Sequence, residues 1–157
     1  MHCGVARTLE VVGEWWSFLI VRDATLGVRR FDDFQQRLGI SRNILTQRLQ
    51  RLVEQEVLER VPYQDNPPRH EYRLTPKGRE LWLVLAAMRD WGDKWEPLPD
   101  GPAAYLVHRS CGEHTTVVPT CSQCGETLER SDLRLVPGPS DDGSVLPVPV
   151  HETSAPR

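Results

Sequence analysis

The chain has 157 residues, 39% of them apolar, with 19 Lys+Arg against 22 Asp+Glu. That is enough for one domain with a real core, or one domain plus a small appendage. No apolar run reaches the roughly 18–20 residues that span a bilayer. No charged, apolar, small-residue pattern opens the chain as a secretory signal would. Four cysteines are too few for a disulfide scaffold, so a cytoplasmic protein is expected. The net charge of −3 argues only weakly against a nucleic-acid partner, because its distribution matters more than its sum.

That distribution is uneven. Residues 1–95 hold 15 Lys+Arg and 13 Asp+Glu, whereas residues 96–157 hold 4 and 9. Proline rises from 4 in the first part to 9 in the second. The run Glu96-Pro97-Leu98-Pro99-Asp100-Gly101-Pro102 cannot continue a helix. The expected organisation is a domain over 1–96, a Pro-rich linker over 97–102, a small module over 103–136 and a tail over 137–157. The tail has five prolines and no aromatic residue, the composition of a disordered segment.

In chain order, Cys3 to Val12 reads as a short helix with Val5, Leu9 and Val12 apolar, closed by Gly13. Trp15 to Leu26 reads as a buried helix with Trp15, Trp16, Leu19, Ile20 and Leu26 apolar, closed by Gly27. Phe31, Phe34 and Leu38 sit at helical spacing before Gly39. Ser41 is placed as an N-cap. The helix behind it has Ile44, Leu45, Leu49, Leu52 and Val53 on one face, and Arg42, Asn43, Thr46, Gln47 and Gln50 on the other. Val57 to Tyr63 and Arg69 to Leu74 read as strands joined by a turn over Gln64 to Pro68. Thr75 caps a last helix, with Pro76 at its first position, that runs to about Trp95.

Two helices joined by a short glycine-containing turn form the helix-turn-helix pattern, and the hairpin behind them makes it winged. Arg37 to Val53 contains Arg37, Arg42, Arg48 and Arg51 and no acid. A polar helix face with four arginines is also what a merely solvated helix shows. The element order and the local absence of acids favour DNA. Ser41, Arg42, Asn43, Thr46, Gln47, Arg48 and Arg51 are then the candidates to donate to phosphates and read base edges. Arg69 and His70, beside two prolines, suit a backbone or minor-groove contact from the wing.

These residues resemble the HxlR-type winged-helix transcriptional regulators over roughly residues 2–95. The resemblance rests on Cys3, Gly13-Glu14-Trp15-Trp16, Arg29-Arg30-Phe31, Gly39-Ile40-Ser41, Leu45-Thr46-Gln47-Arg48-Leu49 with Leu52, and the run Pro67-Pro68-Arg69-His70-Glu71-Tyr72-Arg73-Leu74-Thr75-Pro76-Lys77-Gly78. Each motif alone is weak; their order and spacing together are specific. Trp15 departs from the Lys-Trp such proteins often carry there. The resemblance implies a repressor or activator that binds double-stranded DNA as a homodimer on a roughly palindromic operator, with two recognition helices in successive major grooves. It also implies a dimer interface built from the first and last helices. The apolar surplus of Trp82, Leu83, Leu85, Met88, Trp91 and Trp95 on the last helix fits that, though an intramolecular core would use the same residues. Cys3 resembles the redox-sensing cysteine of some members, where a helix N-terminus lowers a thiol pKa; an unreactive thiol is the alternative. A small-molecule or redox effector is compatible with this reading and is not identified by it.

The second constellation is His108-x2-Cys111, nine residues, then Cys121-x2-Cys124, with Gly112 and Gly125 following each pair. Two intervening residues let a tight turn aim both side chains at one ion. Tyr105 to Val107 and Thr115 to Val118 read as short strands leading into the turns. The pattern resembles a zinc ribbon with one cysteine changed to histidine, and His114 is a substitute for His108. Three thiolates and one imidazole leave no open position, so the zinc would be structural. Free thiols in a metal-free ribbon, or a disulfide, remain alternatives. The expected fold is thus mainly α with a β-hairpin wing, plus a small β-rich, zinc-ribbon-like module. No Gly-rich phosphate loop or Gly-x-Ser-x-Gly elbow occurs, and an enzyme is not expected. The competing function is a winged-helix and ribbon module that docks on another protein.

Overall fold

The computed structural model describes residues 3–140. The chain divides into two compact units, Val11–Val118 and the combination of Met1–Glu10 with Pro119–Arg157. The first holds nearly all the regular structure. Helix α1 (Gly4–Val12) leads into it, followed by α2 (Trp15–Thr25), α3 (Phe31–Leu38) and α4 (Arg42–Glu54). Glycine ends α3 because the chain must turn left-handed there: Gly39 has φ 64° and its N–H donates to the Gln35 carbonyl at 3.0 Å. Two residues later the Ser41 hydroxyl accepts from the Ile44 N–H at 3.4 Å and opens α4. Ile40, between them, is buried and fixes the turn.

The core is the set of residues these helices turn inward: Val12, Ile20, Val21, Phe34, Leu45, Leu49, Leu52, Val57 and Leu58 are all at most 1% exposed. The buried stripe of α2 is Ser17, Ile20, Val21 and Asp23. Trp15 and Leu26, expected inside, are 74% and 68% exposed. Spacings of three and four from Ser17 and Ile20 define the inner face, and both end residues fall outside it. Asp23 is a fully buried carboxylate, held between Arg22 (2.8 Å) and Arg37 (3.2 Å). It ties α2 to α3 through charge-assisted contacts.

Strands β1 (Leu58–Asp65) and β2 (Pro68–Leu74) form the antiparallel hairpin, in register from Leu58↔Leu74 to Asp65↔Pro68 with an irregularity between Pro62 and Gln64. Pro62 lacks the N–H a ladder needs, so a bulge is expected beside it. The Tyr72 N–H donates to the Arg29 carbonyl at 2.8 Å, joining the wing to the residues just before α3.

The single last helix expected from Thr75 to Trp95 is two: α5 (Pro76–Glu80) and α6 (Trp82–Trp95). Thr75 caps α5 as expected, its hydroxyl accepting from the Gly78 N–H at 3.1 Å. The break falls at Leu81, whose N–H reaches back three residues to the Gly78 carbonyl (3.3 Å), a tightened turn that redirects the chain. Beyond α6 the Pro97–Pro102 run carries no helix or strand. Strands β3 (Leu106–Val107) and β4 (His114–Thr115) then make a minimal ladder, with Tyr105 stacked on His114. Asp90 of α6 accepts from the Val117 N–H at 2.6 Å, which anchors this segment. Burial pushes the Asp90 carboxyl up, but the Val117 N–H and Arg89 outweigh it and hold it below the ordinary carboxylate range.

The second unit, over its described residues, contains the start of α1, an isolated Thr120↔Thr127 bridge and a short 3₁₀ turn at Arg130–Asp132. Of the expected tail, 137–140 has no helix or strand and 141–157 lies outside the described residues. Among the described residues no helix is long and apolar enough to cross a membrane.

Candidate nucleic-acid interface

Helix α4 buries Leu45, Leu49 and Leu52 and exposes Ser41, Arg42, Asn43, Thr46, Gln47, Gln50 and Arg51. Asn43, Thr46, Gln47 and Gln50 repeat at three and four residues and so form one polar stripe. Arg51, one turn beyond Gln47, has no ion-pair partner among the described residues. Ile44, expected in the apolar face, is 38% exposed. It lies seven residues from Arg51 and shares its side of the helix.

Two of the arginines have other partners. The Arg42 guanidinium donates to Asp32 Oδ1 (3.3 Å) and Gln35 Oε1 (3.2 Å) and lies 4.8 Å over the Phe31 ring. It therefore anchors the start of α4 to α3. Arg48 turns inward and meets Glu14 at 3.1 Å, and its Nε is buried without a hydrogen-bond partner. Glu14 is distant in sequence, so a local helix-face pattern could not show that pairing.

The wing adds Arg69, exposed at the end of the turn, and His70, half-buried. A groove of about 570 Å³ runs between the wing and the starts of α3 and α4. Arg30, Arg42, Arg60 and Arg69 line it, against Asp32 and Asp33. Arg60 lies in a strand, where alternation marks it only as solvent-facing, and Arg30 enters the sequence pattern only within Arg29-Arg30-Phe31, not as a DNA contact. The chemistry of this surface is donation to anionic oxygens beside a stripe able to read base edges.

The remaining predicted residues lie elsewhere. Cys3 stands at the start of α1, where the N–H groups of Ala6 and Val5 hold its thiol below the usual range, with a small opposing effect of burial. In the turn His108–Gly112 the Gly112 N–H donates to the His108 carbonyl (2.8 Å) and the His108 N–H to the Glu113 carbonyl (2.9 Å). In the turn Cys121–Gly125 the same two bonds recur, Gly125 to Cys121 and Cys121 to Glu126, both at 2.8 Å. Gly112 and Gly125 share φ 78°, which favours glycine. His108 Nδ1 and Cys111 Sγ are 3.2 Å apart, near the edge of about 3.5 Å that Zn–N and Zn–S bond lengths give a tetrahedron. N–H bonds from Cys124 and Gln123 lower the Cys121 thiol pKa, as does the Cys124 side chain. Each turn thus has a ligand-turn geometry of its own. No group of three or more His, Cys, Asp or Glu is in position to hold a metal ion among the described residues.

A helix pair joined by a three-residue turn, an exposed polar second helix and a hairpin packed behind it define a winged helix-turn-helix protein. The sequence profile of the HxlR-like helix-turn-helix family matches residues 11–99, and the chain belongs to that family. It is 46% identical over 135 residues to an uncharacterized HTH-type transcriptional regulator of Mycobacterium tuberculosis, covering 86% of this chain and 85% of the relative. It is 35% identical over 95 residues to the uncharacterized HTH-type transcriptional regulator YdeP of Bacillus subtilis, covering 60% of this chain and 74% of that one. Among solved structures it is similar to PA1607, provisionally assigned as a transcription factor (TM-score 0.77, 42% identity, 86% of this chain and 94% of that chain). It is also similar to the redox regulator HypR in its oxidized form (TM-score 0.54, 32% identity, 59% and 95%). The longer matches necessarily extend beyond residue 99, so the segment after α6 is shared with some relatives.

Proposed function

We propose that this protein regulates transcription by binding double-stranded DNA sequence-specifically as a homodimer, with α4 in the major groove and the wing against the backbone. The exposed stripe Asn43, Thr46, Gln47 and Gln50, flanked by Arg51, carries the proposal. Asn and Gln can bond bidentately to adenine edges. Dimerisation is supported by α6, where Met88, Trp91 and Trp95 follow one another at helical spacing and are 50%, 62% and 61% exposed. So much aromatic surface on one short helix calls for a partner, and a second copy of this helix supplies a matching one. Cys3 is the group on which an oxidant would act in this reading.

The test is binding to labelled duplex taken from upstream of the chain's own gene, or chosen by selection from random sequences. Affinity should fall steeply with salt. Gln47→Ala should lower preference over random duplex by about tenfold or more, and Arg69→Ala should weaken all duplexes alike. Binding that resists salt, or that neither substitution changes, would favour docking on a protein instead.

We further propose that His108, Cys111, Cys121 and Cys124 hold one structural zinc ion, with His114 as substitute for His108. The ligand spacing and the matching local geometry of the two turns support this. Three thiolates and one imidazole would close a tetrahedral site, and binding would stabilise a segment with little core of its own. Protein purified without chelator should carry about one zinc per chain, the load of a single tetrahedral site. Cys111→Ser or Cys124→Ser should abolish it. Metal-free wild type with four titratable thiols would sink this proposal.

A further inference from the structure

We propose that Arg60 and His70, with Arg30 beside them, seat a backbone phosphate of the bound DNA in the groove between the wing and the starts of α3 and α4; this rests on the DNA-binding reading above. Pro62 stands opposite His70 and Arg60 opposite Tyr72 in the hairpin register. Arg60 and His70 therefore project from one face of the wing as a diagonal pair. The Arg60 guanidinium donates to His70 Nδ1 at 3.0 Å. A guanidinium has only donors, so Nδ1 must accept and the ring hydrogen sits on Nε2. Arg60 thereby sets the tautomer that leaves His70 an N–H to offer an anion.

The charge around this pair is unbalanced. Arg42 is already paired with Asp32. Arg60 and Arg69 have no acidic partner among the described residues. Arg30 lies 4.9 Å over the Tyr63 ring and only 3.9 Å from Glu71, so an aromatic face rather than a tight ion pair orients it. The imidazole positions the Arg60 guanidinium without neutralising it, and the phenol ring positions Arg30, whose charge the Glu71 carboxylate at 3.9 Å offsets only in part. Such a site wants a tetrahedral oxyanion. Arg42, the first residue of α4, lines the same groove, so a duplex lying along α4 would carry its backbone past this point.

The experiment measures anisotropy of the full chain with a mixed-sequence duplex and with a selected duplex, each across a salt series. Arg60→Gln should weaken both by the same factor, about tenfold at low salt, and reduce the log–log salt slope by about 1. Arg60→Lys should restore the slope but only part of the affinity, lacking the fork. His70→Ala added to Arg60→Gln should cost little more, since both act on one phosphate. The exposed position of Arg60 should leave the melting temperature unchanged. An unaltered slope, or a loss confined to the selected duplex, overturns the phosphate seat while leaving DNA binding intact. So would inorganic phosphate that shifts the wild-type melting temperature, but not that of Arg60→Gln, with duplex binding equal in both. Wild type that binds no duplex at any salt overturns the DNA-binding reading and this inference with it.

Discussion

Replacing Gly78 by alanine is expected to destabilise the protein by about 3 kcal/mol, the upper part of the overpacking range once lost hydrogen bonds are included. A Cβ on Gly78 would stand 2.1 Å from the Val57 carbonyl oxygen and 3.0 Å from Leu74 Cδ2. The oxygen is backbone and cannot rotate away. It is also an acceptor, taking the Thr75 N–H at 3.1 Å, while the neighbouring Glu56 carbonyl takes the Thr75 hydroxyl at 2.6 Å. Opening space for a methyl group therefore lifts α5 off Val57 and stretches the bonds that return the chain from β2. The thermal midpoint should fall by about 10 °C for a chain of this size. Duplex affinity should fall as well, because the root of the wing moves. A variant melting with the wild type would mean that α5 does not rest on Val57.

The features that sequence showed well are those set by neighbours in the chain. The Ser41 and Thr75 caps, the Gly39 turn and the hairpin each depend on a few adjacent residues with restricted backbone or hydrogen-bonding options. What was not legible depends on distant partners. Arg48 and Arg51 carry the same charge, but Arg48 lies three and four residues from Leu45 and Leu52, at the edge of the buried face, and its partner Glu14 is remote in sequence. Leu81 continues the apolar spacing of a helix, yet the seat of Gly78 against Val57 precedes a break there. The burial of Asp23 depends on Arg37, which reaches it from another helix. The Arg60–His70 contact has the same character: the two side chains meet only once the hairpin register exists. Side chains on the polar face of α4 were identified from the helix alone, whereas the groove beside it needed three elements in place.

Phe34→Ala is expected to cost about 3–5 kcal/mol, the range for emptying a buried aromatic site. That is a large share of the roughly 5–15 kcal/mol that holds a domain folded. Phe34 is the one fully buried side chain of α3, an eight-residue helix. Phe31 and Leu38 are only partly buried against the core, so they cannot hold α3 in place alone. Undocking α3 also removes Asp32 and Gln35 from Arg42 and shifts Arg30 out of the groove. DNA affinity should therefore fall even in the temperature range where most molecules remain folded. Phe34→Leu, which refills much of the volume, should lose about 1–1.5 kcal/mol and keep most of the affinity. Urea denaturation and duplex titration on both variants check this. If Phe34→Ala unfolds with the wild type yet loses DNA, α3 acts on the interface without bearing the core. If it loses stability and keeps full affinity, Arg42 does not need α3 to place the start of α4.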